Sequence, residues 1–269
     1  MPVMTDTVLV VIATYNERDN LPRLVEEVHK HLPQADILII DDNSPDGTGQ
    51  WAAERSRHDE RLRVISRPGK LGLGSAIIAG LRYALEQHYT YAVNMDADWS
   101  HDPRHLPALL GGMDRYDVMI GSRYVAGGGV ENWPRSRRWA SRLVNGLARF
   151  LLRLPVHDCS GAYRCYRVSC LVGVPFARFL SRGYSFQEEM LYWCRLAGCR
   201  LGEAPILFRD RRCGQSKVNL REIVRSLAVL FWLGLRCLGG FDRAFKPICR
   251  TTPHLGRRSA AYPGPGAGK

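Results

Sequence analysis

The sequence lacks any apolar run near the roughly 18 residues that a helical membrane span requires. Its most apolar stretch, LAVLFWLGL at 227–235, reads as a core or interfacial helix. The N-terminus, MPVMTDTVLVVIA, has no basic segment before its short apolar run, which argues against a secretory signal peptide. None of the eight cysteines (159, 165, 170, 194, 199, 213, 237 and 249) belongs to a CxxC pair. A zinc ribbon and a thioredoxin-like pair are therefore not expected, and reduced cytoplasmic thiols are. A phosphate-binding Walker A stretch is absent too. The Gly-rich 69–74 (GKLGLG) carries Ile77 where a dinucleotide fingerprint needs its third glycine. Helix-start packing explains that stretch as well as phosphate binding does. No internal repeat is visible.

What the chain does have is charge of both signs, unevenly placed. Of 269 residues, 38 are Lys or Arg and 26 are Asp or Glu, for a net charge of +12. The first 121 residues hold 12 basic and 18 acidic side chains, and the remainder hold 26 and 8. An acidic half beside a basic half suggests a cation site facing a surface built for phosphates or anionic lipid. A solvated Arg-rich surface is the bland alternative.

Apolar runs at 7–13, 36–40, 62–66, 91–95 and 117–121 suit strands covered on both faces. Helical patterns at 21–32, 50–58, 75–88 and 103–113 alternate with them, and Asn20 and Pro22 suit the start of the first. Such alternation predicts an α/β fold with a mostly parallel sheet and right-handed crossovers. Beyond 121 the pattern changes. A basic amphipathic helix is expected at 137–153, helices at 187–196 and 220–238, and a short strand at 206–208. The Pro/Gly-rich end, from 251 onward, has no apolar period.

Ligands of open α/β sheets lie outside the carboxyl ends of the strands. Three polar clusters fall at such ends: 14–17, 41–46 and 96–98. In the last, NMDADWSHDP, Asp96 and Asp98 crowd two carboxylates that repel unless a cation or solvent separates them. Hard carboxylate oxygens suit Mg²⁺ or Mn²⁺, which completes its shell with water and substrate phosphates. A solvated turn, with Asp102 capping the helix at Pro103, is the competing reading. His101 and His105 do not form HExxH, and His101 suits a supporting role beside the acidic motif.

In order, ATYNERDNLP, IIDDNSPDGT, NMDADWSHDP, GSRY, SGAYRCYR and DRRCGQSK resemble the polyprenol-phosphate (dolichol-phosphate) mannosyltransferases. These are inverting family 2 glycosyltransferases with the GT-A fold, a Rossmann-like nucleotide-diphospho-sugar architecture, and the resemblance spans about residues 8–238. It implies a donor site for GDP-mannose. Tyr15 and Glu17, with backbone at Ala13 and Ile40, would hold the nucleoside, and Asp42 the base or ribose. Asp96, Ala97 and Asp98, with Ser100 as a third oxygen, would seat the divalent cation on the donor diphosphate. Arg211 and Lys217, assisted by Gly214 in a tight loop, would grip the same phosphates. Arg123, Arg137 and Ser141 would hold the acceptor phosphate, with Arg123 also near the donor; for Arg137 a solvated or membrane-surface charge is an equal alternative. Gln187 and Glu189 would hydrogen-bond the sugar or, alternatively, only start a helix.

The resemblance also implies a lipid monophosphate acceptor, polyprenyl or dolichyl, that attacks the anomeric carbon with inversion. Ala13 stands where the family has proline, and Ser100 where some relatives carry an amide. Some relatives carry extra membrane-spanning helices with no counterpart in this sequence. The expectation is thus a catalytic domain over 1–241 ending in an amphipathic helix, with a disordered tail over 242–269. It would sit peripherally on the cytoplasmic face of a membrane, through its helices or an anchoring partner protein. UDP-glucose or another UDP-sugar remains open as donor, because the residues around Asp42 do not fix the base. A non-catalytic nucleic-acid binder, suggested by pI ≈ 9.6, lacks interleaved aromatic platforms, and acidic strand ends would repel a backbone.

Overall fold

The structure, a computed structural model, describes residues 6–181, 183, 185–210 and 220–240. Its first half alternates β1 (Val8–Thr14), α1 (Leu21–His31), β2 (Asp36–Asp41), α2 (Thr48–Ser56), β3 (Leu62–Ser66) and α3 (Leu73–Glu86). Then follow β4 (Tyr91–Asp96), α4 (Leu106–Gly111), β5 (Val118–Ser122), β6 (Gly129–Val130) and α5 (Arg135–Leu152). The chain continues through β7 (Arg164–Arg167), α6 (Val168–Leu171), α7 (Phe186–Leu196), β8 (Leu201–Pro205), β9 (Leu207–Phe208) and α8 (Leu220–Gly239). Seven strands form one sheet in the order β3-β2-β1-β4-β7-β5-β8, and β6 pairs with β9 in a second.

Strand periodicity explains why the apolar runs become the centre of the sheet. Val8, Val10 and Ile12 of β1 point to one face, where they join Ile37, Ile39, Val93 and Met95 under α1 and α4. Leu9 and Val11 point to the other, with Leu38, Ile40 and Ala92 beneath α3 and α7. Each such fully buried aliphatic side chain contributes about 1.5–3 kcal/mol relative to exposure. Helix α3 comes unusually close to β1: a Cβ on Gly80 would lie 2.3 Å from Val11 Cγ1.

The expected mostly parallel sheet is present, with one strand against the pattern. Strand β7 runs antiparallel between β4 and β5, in the SGAYRCYR stretch where no strand was expected. The expected helix at 103–113 is broken into a 3₁₀ turn at Pro103–His105, α4, and a second turn at Gly112–Asp114. Asp102 caps this segment as expected, accepting from Arg104 N at 3.0 Å. Asn20 does not cap α1: it makes no cap hydrogen bond and instead donates from Nδ2 to Glu17 Oε2 at 2.7 Å.

Register places the functional strand ends level with one another. Thr14 lies opposite Asp41, and Ala13 opposite Asp96. Helix α8 packs on α5, where a Cβ on Gly234 would meet Leu151 Cβ at 3.1 Å. No described helix is long and apolar enough to cross a membrane. Cys159, Cys165, Cys194, Cys199 and Cys237 are free thiols, whereas Cys170 is disulfide-bonded, against the expectation of uniformly reduced cysteines. The expected tail, 242–269, lies outside the described residues.

Candidate active site

The loops after β1 and β2 are stitched together before they meet any ligand. Asn16 N donates to Ser44 Oγ and Glu17 N to Thr48 Oγ1, both at 3.0 Å. Asp41 accepts from Thr14 Oγ1 and from Ser44 N, each at 3.0 Å. Asp46 accepts from Thr48 and from Arg18 N; its partial burial works against ionisation, but these hydrogen bonds hold the carboxyl below its ordinary range. Each acidic strand end turns on a left-handed residue: Asn16 (φ 61°), Asn43 (φ 57°) and Trp99 (φ 64°). Asparagine tolerates this conformation; tryptophan holds it at a cost of about 1–2 kcal/mol.

Together these loops wall a cavity of about 220 Å³ lined by Ala13, Tyr15, Glu17, Asp42, Asp96, Ala97 and Asp98. Seven of the residues assigned to the donor therefore do converge. The buried Asp42 carboxylate is gripped by Arg67, which is itself anchored through Nη1 to Ser75 Oγ at 2.7 Å. Two carboxylate oxygens offer about four acceptor positions, which leaves Asp42 able to accept from a nucleoside as well.

At the end of β4, Asp96 and Asp98 face this same cavity. Asp98 Oδ1 accepts from Ser100 N at 3.1 Å, and the buried Ser100 Oγ has no partner among the described residues. His101 supports the motif from below: its Nδ1 accepts from Asp96 N at 3.0 Å, which requires an unprotonated nitrogen there, and its ring stacks on Tyr163 at 4.9 Å. Two carboxylates and an orphaned hydroxyl suit a hard divalent cation that draws its remaining ligands from water and phosphate. No group of three or more His, Cys, Asp or Glu is placed to hold a metal ion among the described residues.

Arg123 and Arg137 gather around one indole, and Ser141 joins them through Tyr124, whose ring lies 5.2 Å from Arg123 Cζ. Trp133 carries Arg137 Cζ at 4.1 Å and Arg123 Cζ at 5.5 Å from its ring centroid. Ser141 Oγ and Tyr124 Oη lie 2.6 Å apart, beside them. Arg123 is clamped by Asp158 through Nε and Nη2, both at 2.7 Å, and also donates to Ser160. Burial opposes ionisation of Asp158, but the Arg123 charge and its hydrogen bonds outweigh this and hold the carboxyl below the usual range. Arg137 pairs with Asp210 at 2.8 Å.

Other assigned residues lie elsewhere. Ile40 lines no part of the cavity: its strand is paired on both sides, to Ala13 and Ile65, so its backbone is committed to the sheet. Glu189 is 0% exposed and accepts from the amides of Leu180 and Ser181, so it fixes that segment rather than meeting a sugar. The buried Gln187 side chain makes no hydrogen bond among the described residues, while its carbonyl accepts from Arg164 at 2.7 Å. Arg211, Gly214 and Lys217 lie outside the described residues.

The profile of Glycosyl transferase family 2 matches residues 9–172, which spans the donor cavity, the acidic motif and Arg123. The chain belongs to glycosyl transferase family 2. It is 43% identical over 245 residues to a polyprenol monophosphomannose synthase of Mycolicibacterium smegmatis, covering 89% of this chain and 91% of that one. It is 42% identical over 212 residues to an undecaprenyl-phosphate mannosyltransferase of Micrococcus luteus, covering 79% and 87%. Among solved structures, a Mycobacterium tuberculosis glucosyl-3-phosphoglycerate synthase with Mn²⁺, UDP and phosphoglyceric acid superposes with a TM-score of 0.60. That match has 16% identity and covers 87% of this chain and 79% of the other; it establishes a shared fold.

In this family 2 enzyme, sequence reasoning missed several cavity residues. Lys70, Leu73 and Ala76 line the pocket beside Thr14 of the 14–17 cluster, and Lys70 Nζ sits 4.3 Å over the Tyr15 ring. The available signal for Lys70 was the Gly-rich stretch, set aside because it failed the dinucleotide pattern. Trp133 and Asp158 carried no motif at all, since their importance lies in what they hold.

Proposed function

We propose that this enzyme transfers mannose from GDP-mannose to a polyprenyl monophosphate, inverting the anomeric carbon and releasing GDP. The observation that carries the reading is a bridge between the two clusters: His101, whose Nδ1 accepts from Asp96 N, and Arg123 both lie against the Phe208 ring, at 5.7 and 5.5 Å. A cavity lined by Tyr15, Glu17, Asp42, Asp96 and Asp98 accompanies a basic cluster of Arg123, Arg137 and Ser141, in a chain whose relatives are named for mannosyl transfer to polyprenyl phosphates.

The acceptor phosphate is itself the nucleophile. With a second pKa of about 6 it is largely dianionic near neutrality, so no side chain need remove a proton. Arg123, held by Asp158 and flanked by aromatic faces, and Arg137 would orient it for attack opposite the departing nucleotide. Asp42, Tyr15 and Glu17 would fix the nucleoside, and Arg211 and Lys217 the leaving diphosphate. A divalent cation, Mg²⁺ or Mn²⁺, held by Asp96, Asp98 and Ser100 would supply charge neutralisation at that diphosphate.

The lipid acceptor implies work at a membrane surface, peripherally and on the cytoplasmic side, with an anchoring partner protein as a second means of attachment. Helix α5 exposes Trp139 (71%), Leu143 (74%) and Phe150 (79%), and α8 exposes Phe231 and Leu235, all beside arginines. Such faces suit an interfacial helix pair. Nucleic acid is not an expected ligand, because the acidic cavity would repel a phosphate backbone. The test is transfer of labelled sugar to polyprenyl phosphate from GDP-mannose and, separately, from UDP-glucose. Label from GDP-mannose is expected; label from UDP-glucose alone would overturn the donor assignment.

A further inference from the structure

The acidic motif and the acceptor arginines are each held from within: Asp98 accepts from Ser100 N, and Arg123 is clamped by Asp158. Neither clamp sets the distance between the two groups. In-line attack depends on that distance, since a misplacement of about 1 Å can cost about 100-fold in rate. The strand between them does not reach far enough to set it. Strand β7 pairs with β4 as far as Asn94 and with β5 as far as Ile120. Asp96 and Arg123 both lie beyond the last of these pairs.

Beyond that ladder the two groups meet across the short strand β9, which is tied to both. On the acidic-motif side, Leu207 N donates to His105 Nε2 at 3.3 Å, and the Phe208 ring stands edge-on to His101 at 5.7 Å. On the arginine side, the same ring stands edge-on to Trp133 and carries Arg123 Cζ, each at 5.5 Å. Phe208 O accepts from Glu131 N at 2.9 Å, and Asp210, two residues on, pairs with Arg137 at 2.8 Å. His101 is backed by the Tyr163 ring at 4.9 Å and accepts from Asp96 N. Tyr163, His101, Phe208 and Trp133 thus form a continuous row of rings from the acidic motif to the arginines. Packed rings have preferred mutual geometries and compress little, so such a row acts as a spacer. Phe208 itself is half-buried, outside the two main apolar clusters, so replacing it leaves the core of the fold in place.

We propose that Phe208 is a positioning residue that fixes the spacing between Asp96 and Arg123, and so aligns the acceptor phosphate with the departing diphosphate; this rests on the reading of the enzyme as a polyprenyl-phosphate mannosyltransferase. Phe208 acts through His101 and Arg123 and contacts neither substrate. The full chain is compared as wild type, Phe208→Leu and Phe208→Tyr by initial rates of transfer from GDP-mannose to polyprenyl phosphate. Calorimetric titration with GDP in the presence of Mn²⁺ counts the competent sites in each preparation and measures their affinity. Phe208→Leu keeps an apolar side chain but removes the ring. Its kcat per competent site is expected to fall about 100-fold, while both KM values and the GDP affinity stay within about threefold of wild type. Phe208→Tyr keeps the ring and is expected to keep the wild-type kcat. A merely structural role would lower the number of competent sites and the Tm without changing kcat per site.

An unchanged kcat per site in Phe208→Leu would overturn the proposal. A loss confined to the acceptor KM would make Phe208 a support for Arg123 alone, and a loss confined to GDP affinity with Mn²⁺ a support for the acidic motif alone; either result overturns the bridge. Phe208→Tyr as slow as Phe208→Leu would overturn it too, because the ring would not be the feature that matters. Transfer by wild type separates this inference from the functional reading beneath it: if wild type transfers no sugar to polyprenyl phosphate, both fall.

Discussion

Asp158→Asn removes one negative charge at a fully buried position where four donors converge: Arg123 N, Nε and Nη2, and Gly161 N. The Arg123 side chain is only 7% exposed, so its guanidinium cannot turn to water for compensation. An amide also presents N–H groups toward donors. Breaking one partner of a buried pair costs about 3–5 kcal/mol, largely through the orphaned charge. For a chain of this size that corresponds to a fall of roughly 10 °C in Tm. Arg123 loses its fixed orientation as well, so kcat/KM for the acceptor should fall about 100-fold beyond any loss of folded protein. Urea unfolding gives the first quantity and initial rates on the folded fraction the second. A destabilisation below about 1 kcal/mol with unaltered rates would refute the claim that Asp158 holds Arg123.

Three other perturbations test separate parts of the account. Gly80→Ala gains about 1 kcal/mol of helix propensity but drives a Cβ into the stiff Val11, costing about 3 kcal/mol; calorimetry should show a lowered Tm, and a raised one would contradict the tight α3–β1 contact. Glu188 is fully buried, and burial first of all raises its carboxyl to about 7. Because the folded value exceeds the unfolded one, its stabilising contribution is present in acid and fades between about pH 4.5 and 7, a span worth about 3 kcal/mol. Glu188→Gln should therefore gain stability relative to wild type as pH rises through that window, and parallel pH–stability curves would exclude this. Lys70→Met should raise KM for the sugar nucleotide about tenfold with little change in kcat, measured by initial rates, if Lys70 contacts the donor from its place over Tyr15; unchanged KM would remove it from the donor site.

The strands whose apolar runs form β1, β2, β4 and β5 were legible because burial on both faces demands an unbroken apolar run, and so were the polar clusters at their ends. Strand β7 escaped because Arg164 and Arg167 make it look solvated. In the fold Arg164 is fully buried and donates to the carbonyls of Cys159 and Gln187, a compensation that depends on loops distant in sequence. Glu189 misled for the opposite reason: a carboxylate at a helix start is compatible with a sugar contact, and only the amides of Leu180 and Ser181 above it decide otherwise. Asn20 likewise satisfies every local preference of a cap, yet its side chain turns back to Glu17. Local pattern located the chemistry; the residues that hold it in place, Arg67, Asp158 and Trp133, emerge only from long-range packing.

The central claim is that Asp96 and Asp98 seat a divalent cation for mannosyl transfer from GDP-mannose to a polyprenyl phosphate. Its most direct test is a Mg²⁺ and Mn²⁺ titration of that transfer in wild type and Asp98→Ala, with folding checked by circular dichroism. Wild type should require the metal and lose activity with chelator. Asp98→Ala should be at least about 1,000-fold slower at saturating metal, the scale on which loss of transition-state charge stabilisation acts. Full activity in Asp98→Ala, or metal-independent wild-type transfer, would contradict the account.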